Sequence, residues 1–264
     1  MTNKITGQAA NANEKMFLEG FEFLCYSRNN WQVWTDFITA TAIAIANLSE
    51  QNTKIREKRE KEFEECIKRL GNHDVTSKMF GVVMMALEEN PEQDFLGNIF
   101  MKLELGNHWR GQFFTPYSIC ELMAEMTSDD LEKKIKDKGW VSVNDCACGA
   151  GATLIAAANV FRKHNIDFQK HVLFTAQDVD RVTGMMCYIQ LSLLGCPGYV
   201  VIANSLTDPM TGNSALFPVE KEGQEFWYTP MWYSDVWNMR RIWNQMDLLF
   251  ASNKTGKDST YEKN

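Results

Sequence analysis

The stretch NDCACGAGATL, residues 144–154, combines two cysteines, two glycines and an aspartate, and its interpretation decides the fold. The apolar run WVSV comes directly before it, and the segment that continues it, ATLIAAANVF, is rich in small residues. Three structures fit such a stretch: a thiol or metal site, a glycine loop that holds a nucleotide, or a plain turn from a strand into a helix. The rest of the sequence has to separate them.

Apolar runs typical of strands alternate with helical patterns from Trp140 onward. The strand-like segments are WVSVNDCACG at 140–149, HVLFTAQDVD at 171–180 and GYVVIANSL at 198–206. The helical segments between them are ATLIAAANVFRKHN at 152–165 and RVTGMMCYIQLSLLG at 181–195. This order predicts parallel βαβ units. The expected fold class is therefore α/β, with a Rossmann-like, doubly wound sheet of which these three strands form at least a part.

The region before the sheet is predicted to be helical. The charged segment at 52–71 has apolar residues at helical spacing and ends at Gly71, and a later helical segment stops before Pro91. The sequence pattern then changes twice along the chain, first to alternating strands and helices and then to a segment rich in aromatic residues. We expect three parts: an α-helical N-terminal domain at 1–105, a Rossmann-like core at 106–210, and an aromatic-rich C-terminal tail with a helix at 211–264.

The composition argues against several classes of protein. The 264 residues carry a net charge of −7, so no strongly basic surface for nucleic acid is expected, although a local patch or a basic partner could supply positive charge. The sequence contains no run of about 18 apolar residues, so no membrane span is expected. Its first residues lack the hydrophobic segment of a secretion signal. The seven scattered cysteines fit a reducing compartment. We therefore expect a cytoplasmic protein without a membrane segment.

The thiol and metal interpretation of the opening stretch is the weakest of the three. Cys146 and Cys148 form C-x-C, and the sequence has no second cysteine pair or histidine cluster at the spacing of a zinc site. Cysteines in such a loop usually serve as small apolar residues. No metal ligand is assigned.

The nucleotide interpretation gains from an acid after the next strand. Asp145 ends the first strand, and Gly149 and Gly151 would let the main chain approach a ligand closely. Asp178 follows 33 residues later, at the end of the second strand, where a carboxylate can accept hydrogen bonds from ribose hydroxyls; Asp180 is the alternate. A tight turn with packing glycines and two solvent-facing acids remains the alternative.

Four segments in this order resemble one family: GQFFTP at 111–116, NDCACGAGATLIAA at 144–157, AQDVD at 176–180 and IANSLTDP at 202–209. They are similar to N6-adenine DNA methyltransferases, in particular to the modification (methylase) subunits of type I restriction-modification systems. There the first motif is close to G-Q-F/Y-F/Y-T-P and the glycine motif is close to D-P-A-C-G-T-G-G. A helical domain precedes the catalytic domain in that family, as it is predicted to do here.

The resemblance implies S-adenosylmethionine as the cofactor, with a pocket in four parts. The methionine side would be lined by Phe113, Phe114, Thr115 and Pro116. The loop beneath the cofactor would be formed by Asp145, Ala147, Cys148, Gly149 and Gly151. Asp178 would bind the ribose, while Asn204 and Ser205 would flank the adenine. Two positions depart from the family pattern, since Cys146 replaces a proline and Ala152 replaces a glycine.

The family pattern also includes N/D-P-P-Y/F, which holds the flipped adenine for methyl transfer, and no such tetrapeptide occurs in these 264 residues. The nearest segment, MDLLFASNKTG, has Lys254 and Thr255 where the prolines would stand. Apolar spacing over 234–251 instead predicts an amphipathic helix. No catalytic residue is therefore assigned. DNA is the expected substrate, and catalysis is expected to need a protein partner or a homo-oligomer.

The tail segment EFWYTPMWYSDVWNMRRIWNQM, residues 225–246, is expected to cover an open edge of the sheet. Base stacking by Trp232 or Tyr233, and a partner interface, are the alternatives. For the whole chain, the first hypothesis is a cofactor-binding protein of the adenine methyltransferase class. The alternatives are a catalytically inactive methyltransferase-like module, acting as a partner-binding regulator or an anti-restriction decoy, and a scaffold without a cofactor.

Overall fold

The structure is a computed structural model that describes residues 6–105 and 114–258. Five helices form its first part: α1 (Ala12–Cys25), α2 (Asn30–Ala46), α3 (Thr53–Leu70), α4 (His73–Glu89) and α5 (Phe95–Lys102). Each begins after an Asn or Asp whose side chain accepts a backbone N–H of the first turn: Asn11, Asn29, Asn52, Asn72 and Asp94. Among the described helices, none combines the length and apolar composition that a bilayer crossing demands.

Aromatic side chains form the centre of the helical region. The ring of Phe17 meets Trp34, Phe37 and Phe95 edge-on, with centroid distances of 6.1, 5.4 and 5.9 Å. Helix α3 ends at Gly71, whose φ of 69° places it in the left-handed region. The helical N-terminal region and this helix end, both predicted from the sequence, are confirmed.

A parallel sheet with helices follows. In chain order its elements are α6 (Tyr117–Lys138), β1 (Val141–Asp145), α7 (Ala152–Lys163), α8 (Phe168–His171), β2 (Val172–Asp178), α9 (Arg181–Leu193) and β3 (Gly198–Ile202). Strand β2 lies between β1 and β3 and is parallel to both. The predicted α/β fold with a parallel sheet is confirmed. Within the described ranges, β1 pairs with β2 alone.

The C-terminal part closes the other edge of the sheet. It contains a small hairpin of β4 (Thr211–Ser214) and β5 (Phe217–Val219), then β6 (Glu225–Tyr228), a 3-10 turn (Pro230–Tyr233) and α10 (Asp235–Asp258). Strand β6 pairs antiparallel with β3. The tail therefore covers the β3 edge, as expected, but it does so by adding a strand that the sequence patterns did not reveal. The predicted helix is confirmed as α10, but its apolar side chains Met239, Trp243 and Met246 are exposed and form no buried face.

Aromatic side chains cover one face of the sheet. Tyr199 of β3 meets Trp232 edge-on at 5.3 Å, and both are buried with Phe226 and Trp237. The alternative that Trp232 stacks on a base is wrong for this conformation, because its indole lies in this cluster. Arg241 lies 4.1 Å above the Trp232 ring and closes the cluster from the helix side.

An arginine and a tryptophan join the helical region to the last strand of the sheet. The guanidinium of Arg59, on α3, lies 4.2 Å from the centre of the Trp227 ring and donates to the carbonyl of Phe226 at 3.1 Å. Arg181 approaches the same ring at 5.9 Å and forms an ion pair with Glu62 of α3 at 2.8 Å. We call the contact of Arg59 with the Trp227 ring and the Phe226 carbonyl the Arg59–Trp227 clasp. It fixes a helix near the start of the chain to a strand near its end.

His164, at the end of α7, predicts a pH dependence of stability. Its ring nitrogens face Glu132 and Glu125 of α6, the second at 3.2 Å, and these carboxylates raise the pKa of the imidazole above its usual 6.5. Since the folded-state pKa is the higher one, this contribution is fully present below pH 6.5 and is lost as pH rises through the raised folded-state pKa. We expect the stability difference between wild type and His164→Gln to shrink over that range in urea unfolding; a constant difference would contradict this.

Candidate functional site

The carboxyl ends of β1, β2 and β3 lie at one edge of the sheet, and the first two strands each end in an aspartate there. Because the strands are parallel and in register, Asp145 pairs with Ala176 and Asp178 with Ile202, so both acids stand at the same edge. The backbone N–H of Ala203 donates to the carbonyl of Asp178 at 2.9 Å. The segment that begins after β3 therefore runs beside Asp178. Ligands of doubly wound sheets bind at this edge.

The loop between β1 and α7 requires its two glycines. Gly149 and Gly151 have φ values of 52° and 96°, in the left-handed region that other residues rarely adopt. A Cβ on Gly149 would lie 3.0 Å from the ring of Phe114, and one on Gly151 would lie 2.8 Å from the sulfur of Cys187. The loop is therefore packed on both sides. Helix α7 begins directly after Gly151.

Asp178 holds the glycine loop in place. Its Oδ2 accepts the N–H of Gly149 at 2.8 Å, while Oδ1 accepts the N–H of Asp180 at 2.8 Å and the hydroxyl of Thr183 at 3.2 Å. A carboxylate offers about four acceptor positions, so these donors leave about one for a ligand. Burial raises the pKa of the Asp178 carboxyl, although the bound donors act in the opposite direction. The acid is thus both a support of the loop and a candidate ligand-binding group.

The N–H groups of the loop already have partners inside the protein. Ala147 donates to Oδ1 of Asp145 at 3.1 Å, Cys148 to the carbonyl of Gln177 at 3.1 Å, and Gly151 to the carbonyl of Cys148 at 2.8 Å. With the Gly149 bond to Asp178, four loop N–H groups are satisfied. A phosphate-binding loop instead leaves such groups free for the anion. These four groups are therefore not free for an anion, whereas helix α7 begins after them without a side-chain cap.

The segment before α6 reaches the glycine loop through Phe114. Its half-buried ring lies against Gly149 on one side and 5.4 Å from the ring of Phe100, on α5, on the other. Thr115 and Pro116 are exposed and lead into α6. Phe113, also predicted for this pocket, lies outside the described residues. The structure thus brings Phe114 to the predicted loop.

The loop after β3 is held by its own hydrogen bonds. The side-chain oxygen of Asn204 accepts the N–H groups of Leu206 and Thr207 at 2.9 and 3.2 Å, while Ser205 lies half-buried beside it. This bonding uses the acceptor of the Asn204 amide for the turn. A ligand at this position would meet the side-chain NH₂ group, which is a donor.

The cysteines of the loop differ in exposure and are poor nucleophiles where they are buried. Cys146 is exposed, whereas Cys148 is buried against Cys187. The hydrogen bond between these two thiols, together with burial, raises the pKa of Cys148 well above its usual range, so the thiol stays protonated. Within residues 6–105 and 114–258, no cluster of three or more His, Cys, Asp or Glu side chains is arranged to hold a metal ion.

Two buried glutamines support the site and were not identified from the sequence. Gln177, in β2, donates to the carbonyls of Ala203 and Asp208 and accepts the N–H of Met210 at 2.9 Å, which fixes the loop after β3. Gln190, in α9, donates to the carbonyl of Ala150 at 2.8 Å. The available signal was a glutamine inside an otherwise apolar strand or helix, because a buried amide needs partners.

A comparison with protein families matches the part of the chain that contains the glycine loop and Asp178. The family model described as N-6 DNA Methylase matches residues 96–258, which is more than half of the chain. The chain belongs to the N-6 DNA methylase family. A search of curated proteins found no match for it.

Proposed function

We propose that the chain binds S-adenosylmethionine at the carboxyl edge of the sheet and takes part in N6-adenine methylation of DNA. Family membership supports the class of reaction. The single observation that carries the cofactor assignment is Asp178, whose carboxylate stands at the end of β2 and is bonded to the glycine loop at 2.8 Å. An acid in this place can accept a ribose hydroxyl while the loop lies under the ligand.

Charge at the site favours a cationic cofactor over a nucleotide with a pyrophosphate. Three acids, Asp145, Asp178 and Asp180, lie at the carboxyl ends of β1 and β2. The negative charge of Asp180 contributes to raising the pKa of the Asp178 carboxyl. A sulfonium reduces this repulsion, whereas a pyrophosphate increases it. Four N–H groups of the loop, those of Ala147, Cys148, Gly149 and Gly151, are bonded within the protein and so are not free for a phosphate.

The proposed pocket assigns a part of the cofactor to each group of residues. Phe113, Phe114, Thr115 and Pro116 would face the methionine part, and Asp145, Ala147, Cys148, Gly149 and Gly151 would form its floor. Asp178 would accept a ribose hydroxyl, and Asn204 with Ser205 would border the adenine. Val179 and Leu206, next to Asp178 and Asn204, expose most of their side chains and could supply an apolar contact for the purine ring.

We further propose that methyl transfer needs a partner chain or a second copy. The 264 residues contain no N/D-P-P-Y/F tetrapeptide, so no group in this sequence is assigned to hold the target adenine. DNA is proposed as the substrate on the basis of the family. The same observation favours a second candidate, a methyltransferase-like module that keeps the cofactor site and acts as a partner-binding regulator or an anti-restriction decoy.

Calorimetric titration of the full chain tests the cofactor assignment. We expect S-adenosylmethionine and S-adenosylhomocysteine to bind with one site per chain, and NAD to bind at least about tenfold more weakly because of its pyrophosphate. Absence of binding by S-adenosylmethionine, or tighter binding of NAD, would overturn the assignment.

A methylation assay with plasmid DNA separates the two candidate functions. We expect the pure chain to bind the cofactor and to transfer little or no labelled methyl group to adenine. Restored transfer on addition of a specificity subunit or a second methyltransferase chain encoded nearby would support the enzyme, and none with any such partner would support the inactive module. Rapid adenine methylation by the pure chain would refute the need for a partner.

A further inference from the structure

A buried polar contact connects the helical region to the glycine loop. The amide nitrogen of Gln190, on α9, donates to Oδ1 of Asp94 at 2.7 Å and to the carbonyl of Ala150 at 2.8 Å. Its oxygen accepts the N–H of Leu96 at 3.0 Å. Asp94 caps α5, and Ala150 lies between the two loop glycines. One side chain thus bonds to two parts of the fold.

The hydrogen-bonding groups around Gln190 permit one orientation of its amide. Both N–H bonds and the oxygen are used, and the side chain is fully buried. A flipped amide would place oxygen against the Asp94 carboxylate and the Ala150 carbonyl, and would face the Leu96 N–H with a donor. Such unsatisfied contacts in a buried site are costly.

Asp94 makes this orientation especially firm. Its carboxyl group is buried, which raises its pKa, and its Oδ1 accepts from two neutral donors, the N–H of Gly97 at 2.8 Å and the Gln190 amide. Removing a hydrogen bond from a fully buried polar atom is costly, because no water can replace the lost partner. Oδ1 of Asp94 therefore holds the Gln190 nitrogen in place, and the second hydrogen of that nitrogen is directed at the loop.

We propose that Gln190 is a positioning residue that sets the conformation of the glycine loop, and that Asp94 orients it, so that the helical region controls the shape of the cofactor site. The inference rests on the proposed function where it concerns cofactor affinity. The claim that Gln190 sets the loop conformation does not depend on a cofactor. It assigns a role in the site to a residue of the helical region, far from the loop in sequence.

Gln190→Met tests the proposal because methionine keeps the length of the side chain and removes its hydrogen bonds. We expect about tenfold weaker S-adenosylmethionine binding and faster hydrogen–deuterium exchange in the loop peptide containing Gly149 and Gly151. Leu24→Ala, a change in the core of α1, serves as a control with a loss of thermal stability. We expect Leu24→Ala to leave both the affinity within about twofold and the loop exchange unchanged.

A pair of changes at Asp94 tests the orienting role. Asp94→Asn keeps an oxygen that can accept from Gln190 and Gly97, so we expect loop exchange and affinity close to those of wild type. Asp94→Ala removes that acceptor, and we expect the behaviour of Gln190→Met. If Gln190→Met does not fold, the difference in loop exchange between Asp94→Asn and Asp94→Ala tests the proposal instead.

Two readouts keep this inference apart from the cofactor assignment. If wild type binds no S-adenosylmethionine, the proposed function fails, while faster loop exchange in Gln190→Met than in Leu24→Ala would still support the positioning role. Equal loop exchange in Gln190→Met and Leu24→Ala would overturn the role of Gln190. Wild-type exchange in Asp94→Ala would overturn the role of Asp94.

Discussion

Asp178→Ala is expected to weaken S-adenosylmethionine binding by about 10- to 100-fold, because a hydrogen bond to a charged acceptor contributes about 1.5–3 kcal/mol. The variant also loses the bond to the Gly149 N–H, which holds the loop at 2.8 Å. Asp178→Asn separates these effects, since it keeps an acceptor and removes the charge. We expect an intermediate loss for Asp178→Asn in calorimetric titration.

Asp180→Asn is the matched control for this prediction. Asp180 caps α9 by accepting the N–H groups of Val182 and Thr183, each at 3.0 Å, and asparagine is an equally good cap. We expect Asp180→Asn to fold normally and to bind the cofactor within about threefold of wild type, since only a nearby charge is removed. Equal losses for Asp178→Asn and Asp180→Asn would mean that net charge, and not the position of Asp178, controls binding.

Trp227→Ala is expected to lower the free energy of unfolding by about 3–5 kcal/mol, the usual cost of removing a large buried aromatic side chain. The indole is 2% exposed and lies between Tyr188, at 5.5 Å, and the Arg59 guanidinium. Urea unfolding followed by circular dichroism measures the change. This result would assign a structural role to the part of the aromatic tail that forms β6.

Trp243→Ala provides the comparison for that measurement. Trp243 lies on α10 and is 58% exposed, so its removal should change the free energy of unfolding by less than about 0.5 kcal/mol. A similar loss for both tryptophan variants would show that the tail is stabilised by something other than the contacts of Trp227.

The sequence patterns predicted the parallel part of the fold because its signals are local. Apolar runs and helical spacing between Trp140 and Leu206 indicated three strands and two helices, and these agree with the structure. Strand β6 was missed because four residues, EFWY, show no alternation between apolar and polar residues. Both faces of this strand are covered, by Tyr199 on one side and by Arg59 and Tyr188 on the other. Only the long-range contacts make it a strand.

The candidate site was partly visible in the sequence. The loop glycines and Asp178 stand together as the motif spacing suggested, and Phe114 lies against Gly149. The bonds of Gln177 and Gln190 could not be predicted, because their partners lie in segments far away along the chain. The binding roles given to the site residues stay predictions.

The division of the chain at 105/106 and 210/211 also stays a prediction. Among the described residues, the larger of the two buried apolar clusters is shared by all three segments, since Phe17, Leu154 and Trp227 all belong to it. A cytoplasmic location stays a prediction as well.

The Arg59–Trp227 clasp sets a delay in folding during synthesis. Arg59 and the carbonyl that it binds on Phe226 are 167 residues apart, and a ribosome adds about 5–20 residues per second. Helix α3 therefore leaves the ribosome about 8–30 s before its partner strand exists. During that interval the arginine and the adjoining surface of α3 stay open to solvent and to chaperones. Strand β6 thus forms its contact with Arg59 after helix α3 has been synthesised.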